Sequence, residues 1–175
     1  RKGSMTSVPD GVVAGAALEA GATALCAATV CEALALRAAL PGARIVVIGP
    51  AWDEEVAQAR EARLELVVAD HRPPPEDIPL HLKLDTGMGR WGLSELPAPS
   101  RQVVGLMSHL ATAGSDAAFA ERQIERFREA THAYSHLTRH VANSAAALRL
   151  PDARFDAARC GIALYGLSPF ACDPA

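Results

Sequence analysis

The chain has 175 residues, half of them hydrophobic and 21% charged, with a formal net charge of −3 at pH 7. This length fits one domain over residues 1–175, with a core large enough to fold alone. Because the arginines are scattered and form no basic stripe, no nucleic-acid partner is expected. No apolar run approaches the ~18 residues that a membrane span needs, so no membrane partner is expected either.

The cysteines and the first residues of the chain indicate the cellular compartment in which the protein is expected. The four cysteines show neither zinc-ligand spacing nor the framework of a small secreted protein, so free thiols and no metal site are predicted. The first residues resemble no secretory signal, and the chain is therefore expected to be cytoplasmic. Residues 1–8 are predicted to be disordered or to derive from a cloning tag, and to contribute no strand.

Helix and strand patterns alternate along the first 70 residues. Thr29 and Glu32 have the spacing of a capping box, which predicts a helix start at that point. The predicted helices cover residues 9–20, 29–40 and 53–62. Short apolar runs rich in β-branched residues, typical of buried parallel strands, cover residues 22–28, 44–49 and 64–69.

Four more strands are predicted in the second half, at residues 80–84, 103–107, 139–142 and 158–164. A long amphipathic helix over residues 116–137 carries Phe119, Phe127 and Tyr134 at helical spacing, which indicates core packing. The links after residues 69 and 92 contain several prolines and have no room for full helices.

This alternation predicts an α/β fold with parallel strands, either a (β/α) barrel or an open doubly wound sheet. A complete eight-unit barrel takes about 250 residues. With 175 residues and seven predicted strands, the barrel alternative is an incomplete TIM-type barrel that has lost some helices.

Two clusters of polar residues follow predicted strands. On the strand ending at Asp85, His81 and Lys83 share one face, and a lysine facing a barrel lumen must be paired or must extend to solvent. In the second cluster, Ser144 and the backbone near Gly161 follow the last two strands, where (β/α) barrels commonly bind phosphate. An Asn-Ser pair by itself more often caps a helix.

Four segments, at residues 81–90, 108–109, 141–144 and 159–166, together resemble the pyridoxal-phosphate barrel of alanine racemases. The resemblance implies pyridoxal 5'-phosphate as cofactor, alanine as substrate, a homo-oligomer, and interconversion of L- and D-alanine for cell-wall peptidoglycan. It implies cofactor contacts from Arg90, His109, Asn143, Ser144, Arg159, Gly161 and Ile162.

The resemblance also implies individual roles. Lys83 would be carbamylated and would bind Arg90, which in turn contacts the phenolic oxygen of the cofactor. Arg159 would face the pyridine nitrogen, and His109 would hydrogen-bond nearby and hold that arginine in place. Cys160 departs from the family pattern, in which a proline follows the arginine.

Catalysis in this family also needs a lysine that forms a Schiff base with the cofactor. The chain has two lysines, and since Lys83 matches another position, Lys2 is the candidate. The first strand and the C-terminal β-domain of a racemase are expected to be missing. The chain is therefore expected to be incomplete for catalysis alone and to associate through open strand edges. The alternatives are a non-catalytic remnant that binds pyridoxal phosphate or phosphate, and a single-domain barrel of the pyridoxal-phosphate homeostasis type.

Overall fold

The computed structural model describes residues 3–7, 11–70, 73–74 and 77–170. Its strands are all parallel and form a closed barrel in chain order, β1 to β8. The strands are β1 Gly3–Ser7, β2 Ala24–Ala27, β3 Ile45–Val47, β4 Glu65–Val68, β5 Leu80–Lys83, β6 Val103–Met107, β7 Thr138–Ala142 and β8 Ala157–Cys160.

The helices lie between the strands in sequence. They are α1 Gly11–Glu19, α2 Val30–Ala39, α3 Asp53–Glu61, α4 Ala117–Thr131 and α5 Ser144–Arg149. Short 3-10 turns follow at His132–Tyr134, Pro151–Ala153 and Ile162–Tyr165. No helix within the described ranges is long and apolar enough to cross a membrane.

The predicted TIM-type barrel is confirmed, and all seven predicted strands are present. The prediction that the first strand is missing, with residues 1–8 disordered, is wrong for residues 3–7. There β1 pairs with β2 on one side and with β8 on the other. Its glycine and two serines carry little strand signal, and the edges of β2 and β8 supply the pairing instead. The expected open strand edges are therefore absent from the described barrel.

Local signals placed the helix starts correctly. The Thr29 hydroxyl accepts a hydrogen bond from the backbone N–H of Glu32 at 3.2 Å, and the Glu32 carboxylate accepts one from the N–H of Ala28 at 2.8 Å. Asp116 caps α4 in the same way, through the N–H of Phe119 at 3.0 Å. Within the described residues, the links from β4 to β5 and from β5 to β6 contain no helix, as predicted.

Two apolar regions stabilise the barrel. The larger lies between the strands and the helices and includes Phe127 of α4, which is fully buried and packs edge-on against Phe155 at 5.1 Å. Core packing is thus confirmed for Phe127 of α4 and for Tyr134 just after it, whereas the half-buried Phe119 is not among the residues of this core. The smaller region fills the barrel interior with side chains from alternate strand positions, such as Cys26, Val46 and Met107.

The barrel interior also contains two fully buried histidines, His81 and His140. Room for the His81 ring comes from Gly105 on the neighbouring strand, where a Cβ would lie 2.2 Å from Nδ1 of His81. The pairing of β5 with β6 shifts register between Leu80 and His81, beside this contact. Position 105 therefore requires a glycine because the His81 ring occupies the space of a Cβ, and not because the backbone turns there.

We expect Gly105→Ala to lower the free energy of unfolding by about 2–4 kcal/mol, because the added methyl overlaps a buried ring. Gly15→Ala is the matched control, since a Cβ at this position within α1 meets no atom within 4 Å. It should raise stability by about 0.5–1 kcal/mol. Urea unfolding of both variants measures the difference, and equal stabilities would contradict the argument.

Candidate functional site

A cavity of about 910 Å³ opens at the carboxyl ends of the strands. Its volume is typical of sites for small molecules. Apart from Lys2, which lies outside the described residues, every predicted site residue lines it: Lys83, Arg90, His109, Asn143, Ser144, Arg159, Gly161 and Ile162. These residues come from four different connections, so the barrel brings them together from positions up to 79 residues apart in sequence (83 to 162).

Lys83 lies at the end of β5, buried beside the cavity. Its ammonium donates to the backbone carbonyls of Arg90, at 3.2 Å, and of Trp91. Burial, followed by the positive charges of Arg90 and Arg159, lowers the pKa of Lys83 to about 8. The amine is therefore partly neutral, and nucleophilic, close to neutral pH.

The loop that carries Arg90 is ordered by one carboxylate. Asp85 Oδ1 accepts hydrogen bonds from the backbone N–H groups of Gly87 at 2.9 Å and Met88 at 2.8 Å, and Gly89 N–H donates to both carboxylate oxygens. Gly87 and Gly89 have φ of 130° and 66°, values that other residues rarely adopt. The side chain of Arg90 is exposed at the cavity rim.

Arg159 on β8 is buried, with 6% of its surface exposed. Its Nη1 donates to Nδ1 and to the carbonyl of His140, at 2.7 and 2.8 Å, and its Nη2 donates to the carbonyl of Ser108 at 2.7 Å. Among the described residues these bonds use three of the five guanidinium N–H groups. The Nε–H and one Nη2–H make no hydrogen bond with the described residues, and Arg159 itself lines the cavity.

The histidine hydrogen-bonded to Arg159 is His140, and the role predicted for His109 is therefore corrected. His109 lines the cavity, and its backbone carbonyl accepts from Gln123 at 3.2 Å. Burial, then the charges of Arg159, Arg90 and Lys83, lowers the pKa of its ring to about 4, so the ring is neutral at pH 7. His140 was missed because it looks like an ordinary residue of a buried strand.

Ser144 lies against the loop that follows β8. Its hydroxyl oxygen accepts from the backbone N–H groups of Gly161 at 3.1 Å and Ala163 at 3.3 Å. We call this hydroxyl and these two N–H groups the anion cradle. Because the oxygen accepts both bonds, its proton can be donated outward, and an incoming anion can share all three donors.

Asn143 lines the cavity but uses its side chain locally. Its Oδ1 caps α5 by accepting from the N–H of Ala146 at 3.0 Å, and its Nδ2 donates to the carbonyl of Leu110 at 3.4 Å. The structure therefore favours helix capping for this residue, the alternative that the sequence left open. Trp91 and Phe170 also line the cavity and were not predicted, because nothing in their local sequence marks them as part of a site.

Taken together, fold and site define a class: a (β/α) barrel whose mouth combines an anion cradle, a buried guanidinium and a lysine of lowered pKa. The chain belongs to the family of the alanine racemase N-terminal domain, whose family model matches residues 6–169. The predicted family is thereby confirmed.

Individual relatives agree. The chain is 38% identical to the alanine racemase of Geobacillus stearothermophilus, over 90% of the chain and 46% of that protein. It is 40% identical to that of Streptomyces coelicolor, over 88% of the chain and 48% of that protein. The crystal structure of alanine racemase from E. faecalis matches 99% of the chain and 56% of its own length, with a TM-score of 0.84 and 29% identity. The chain thus spans about half the length of the curated relatives it matches.

The titration of Lys83 gives a direct prediction. Since burial and neighbouring cations disfavour its ammonium, the Lys83 pKa should lie near 8, about two units below the ordinary value of ~10.4. Reductive methylation with ¹³C-formaldehyde followed by NMR titration measures it. Lys83→Arg serves as the control, because it leaves Lys2 as the remaining lysine. A midpoint above 10 for the Lys83 signal would contradict this account.

Proposed function

We propose that this chain is the cofactor-binding barrel, a single domain over residues 1–175, of a pyridoxal-phosphate-dependent alanine racemase. The reaction interconverts L- and D-alanine and supplies D-alanine for peptidoglycan. The observation that carries the proposal is the convergence on one cavity of the anion cradle and of Arg159, two of whose N–H groups have no partner among the described residues. When bound, pyridoxal phosphate supplies an electron sink that acidifies the Cα–H of an amino acid.

The described residues fit this cofactor. The anion cradle suits its phosphate, with Ser144 and Gly161 as the principal contacts and with Ile162 and Asn143 beside them. The remaining donors of Arg159 suit the pyridine nitrogen. Because an arginine cannot give up its proton, it keeps that nitrogen as an unprotonated acceptor and limits the electron sink.

Lys83, Arg90 and His109 are assigned to the other side of the ring. Unmodified Lys83 and Arg90 are both cations, and the hydrogen bond from Lys83 to Arg90 goes to the backbone carbonyl of Arg90. Carbamylation would turn Lys83 into an anion and allow it to bind the Arg90 guanidinium. The lowered pKa of Lys83 supports this modification, because the neutral amine is the form that attacks carbon dioxide. Arg90 would then be oriented to donate to the phenolic oxygen.

Lys2 is the proposed covalent anchor and the group that moves the Cα proton on one face of the substrate. The second proton-transfer group is expected from the half of the relatives that this chain does not span. The isolated chain is accordingly proposed to bind the cofactor and to turn over slowly or not at all. A cytoplasmic location is proposed, in line with the thiols of Cys26 and Cys31, which form no disulfide within the described residues.

Binding tests the proposal. Pyridoxal phosphate should bind the chain and develop a yellow absorbance band. Borohydride should bleach this band by reducing the Schiff base and should leave the cofactor attached to Lys2 as a secondary amine. We expect Ser144→Ala to weaken cofactor binding about tenfold, since it removes a hydroxyl that anchors two N–H groups. Ser115→Ala, the same change elsewhere on the cavity wall, is the control. If the Lys2→Ala variant binds the cofactor without developing colour, the non-catalytic alternative is favoured. If the chain does not bind the cofactor at all, the proposal is wrong.

We also propose that the chain self-associates, through exposed apolar side chains and not through open strand edges. Tyr165 and Leu167 are about half exposed on the chain that follows β8, beside the cavity mouth. Two large apolar side chains at one place are typical of a contact surface. Sedimentation should therefore show a dimer or a larger species, and Leu167→Ser should shift it toward monomer. A monomer at all concentrations would contradict this expectation.

A further inference from the structure

A continuous line of hydrogen-bonded side chains runs through the barrel interior, which we call the lumen column: Arg159, His140, His81, Glu65 and Arg44. Arg159 Nη1 lies 2.7 Å from Nδ1 of His140, and Nε2 of His140 lies 2.8 Å from Nδ1 of His81. Nε2 of His81 lies 2.8 Å from Glu65 Oε2, and Arg44 donates to both Glu65 oxygens at 2.5 and 2.8 Å. The column connects the cavity to the opposite end of the barrel.

The groups at the two ends of the column determine which ring nitrogen carries the proton in each histidine. Arg159 can only donate, so Nδ1 of His140 must accept and must carry no proton. A neutral His140 then carries its proton on Nε2 and donates to Nδ1 of His81. His81 in turn carries its proton on Nε2 and donates to the carboxylate of Glu65, which can only accept. No other assignment satisfies all three contacts, and a protonated form of either histidine would place two donors face to face.

Burial and charge agree with this assignment. Burial lowers the pKa of both histidine rings, and for His140 the adjacent Arg159 charge lowers it further. Burial alone would raise the pKa of Glu65, but hydrogen bonds from Arg44 and His81 outweigh it and lower the pKa to about 2. Glu65 and Arg44 lie at the barrel floor, with 13% and 39% of their side chains exposed. At this end of the barrel, Glu65 is therefore ionised at neutral pH and acts only as a hydrogen-bond acceptor.

We propose that Glu65 is a positioning residue for Arg159, acting through the tautomers of His81 and His140. Without an acceptor at position 65, the Nε2–H of His81 would be a buried donor with no partner, and only Arg159 would still favour the wild-type order of protons. The forms with Nδ1–H on both histidines would then be populated more than in the wild type. In those forms two donors meet between His140 and Arg159, and the guanidinium loses one of its hydrogen bonds. The consequence for a cofactor ring rests on the proposed function, whereas the tautomer order does not.

The test is ¹⁵N NMR of histidine-labelled chain at pH 7.5 without any ligand. In the wild type both rings should be neutral with the proton on Nε2, and signals are assigned by their loss in His81→Phe and His140→Phe. Glu65→Leu should shift both rings toward the Nδ1–H form. In a second sample, labelled on arginine, it should speed the exchange of the Arg159 guanidinium protons. Arg44→Leu, the matched control, removes the other half of the same ion pair and should leave both tautomers unchanged.

Equal tautomers in the wild type and Glu65→Leu, or equal changes in the two leucine variants, would overturn the proposal. A wild type with a charged ring or an Nδ1–H form would overturn it as well, even if Glu65→Leu failed to fold. With pyridoxal phosphate added, Glu65→Leu should weaken binding several-fold while inorganic phosphate competes as in the wild type. Wild-type protein that shows the tautomers but binds no cofactor would refute the proposed function and leave the positioning role standing.

Discussion

The buried guanidinium of Arg159 is the interaction on which the site depends. A charge removed from water is costly unless acceptors surround it, and here they are the ring and carbonyl of His140 and the carbonyl of Ser108. These acceptors lie on β7 and just after β6, so the charge links three neighbouring parts of the barrel. Arg159 also lies on the strand that pairs with β1, opposite Met5. Closure of the barrel and placement of the arginine therefore depend on each other.

Hydrogen bonds inside the barrel compensate the buried charge of Arg159, although apolar side chains surround it. Each contact within the lumen column joins a donor to an acceptor, which lowers the cost of burying these polar groups. Space for the rings comes from Gly105, and small or medium apolar side chains fill the rest. A tight interior of this kind tolerates few substitutions, so the polar column and the packing around it constrain one another.

The loops around the cavity have little regular structure and depend on a few side chains. Asp85 orders the loop after β5 by accepting three backbone N–H groups. Gln123 of α4, fully buried, accepts from the N–H of Ala111 at 2.9 Å and donates to Thr86 and to the carbonyl of His109. A rigid helix thus positions two loops of the site, which is how (β/α) barrels combine a stable scaffold with variable chemistry.

The sequence by itself determined the alternation of strands and helices, the helix caps, the links without helices and the family, because these features depend on residues close together in the chain or on a fixed order of motifs. It also named eight residues of the cavity. The tertiary structure alone decided the rest. Gly3–Ser7 becomes a strand because two edges are there to pair with it, and His140 replaces His109 as the partner of Arg159 because strand neighbours meet across the barrel. The link from Glu65 to Arg159 joins residues 94 positions apart (65 to 159), a distance over which no local pattern carries information.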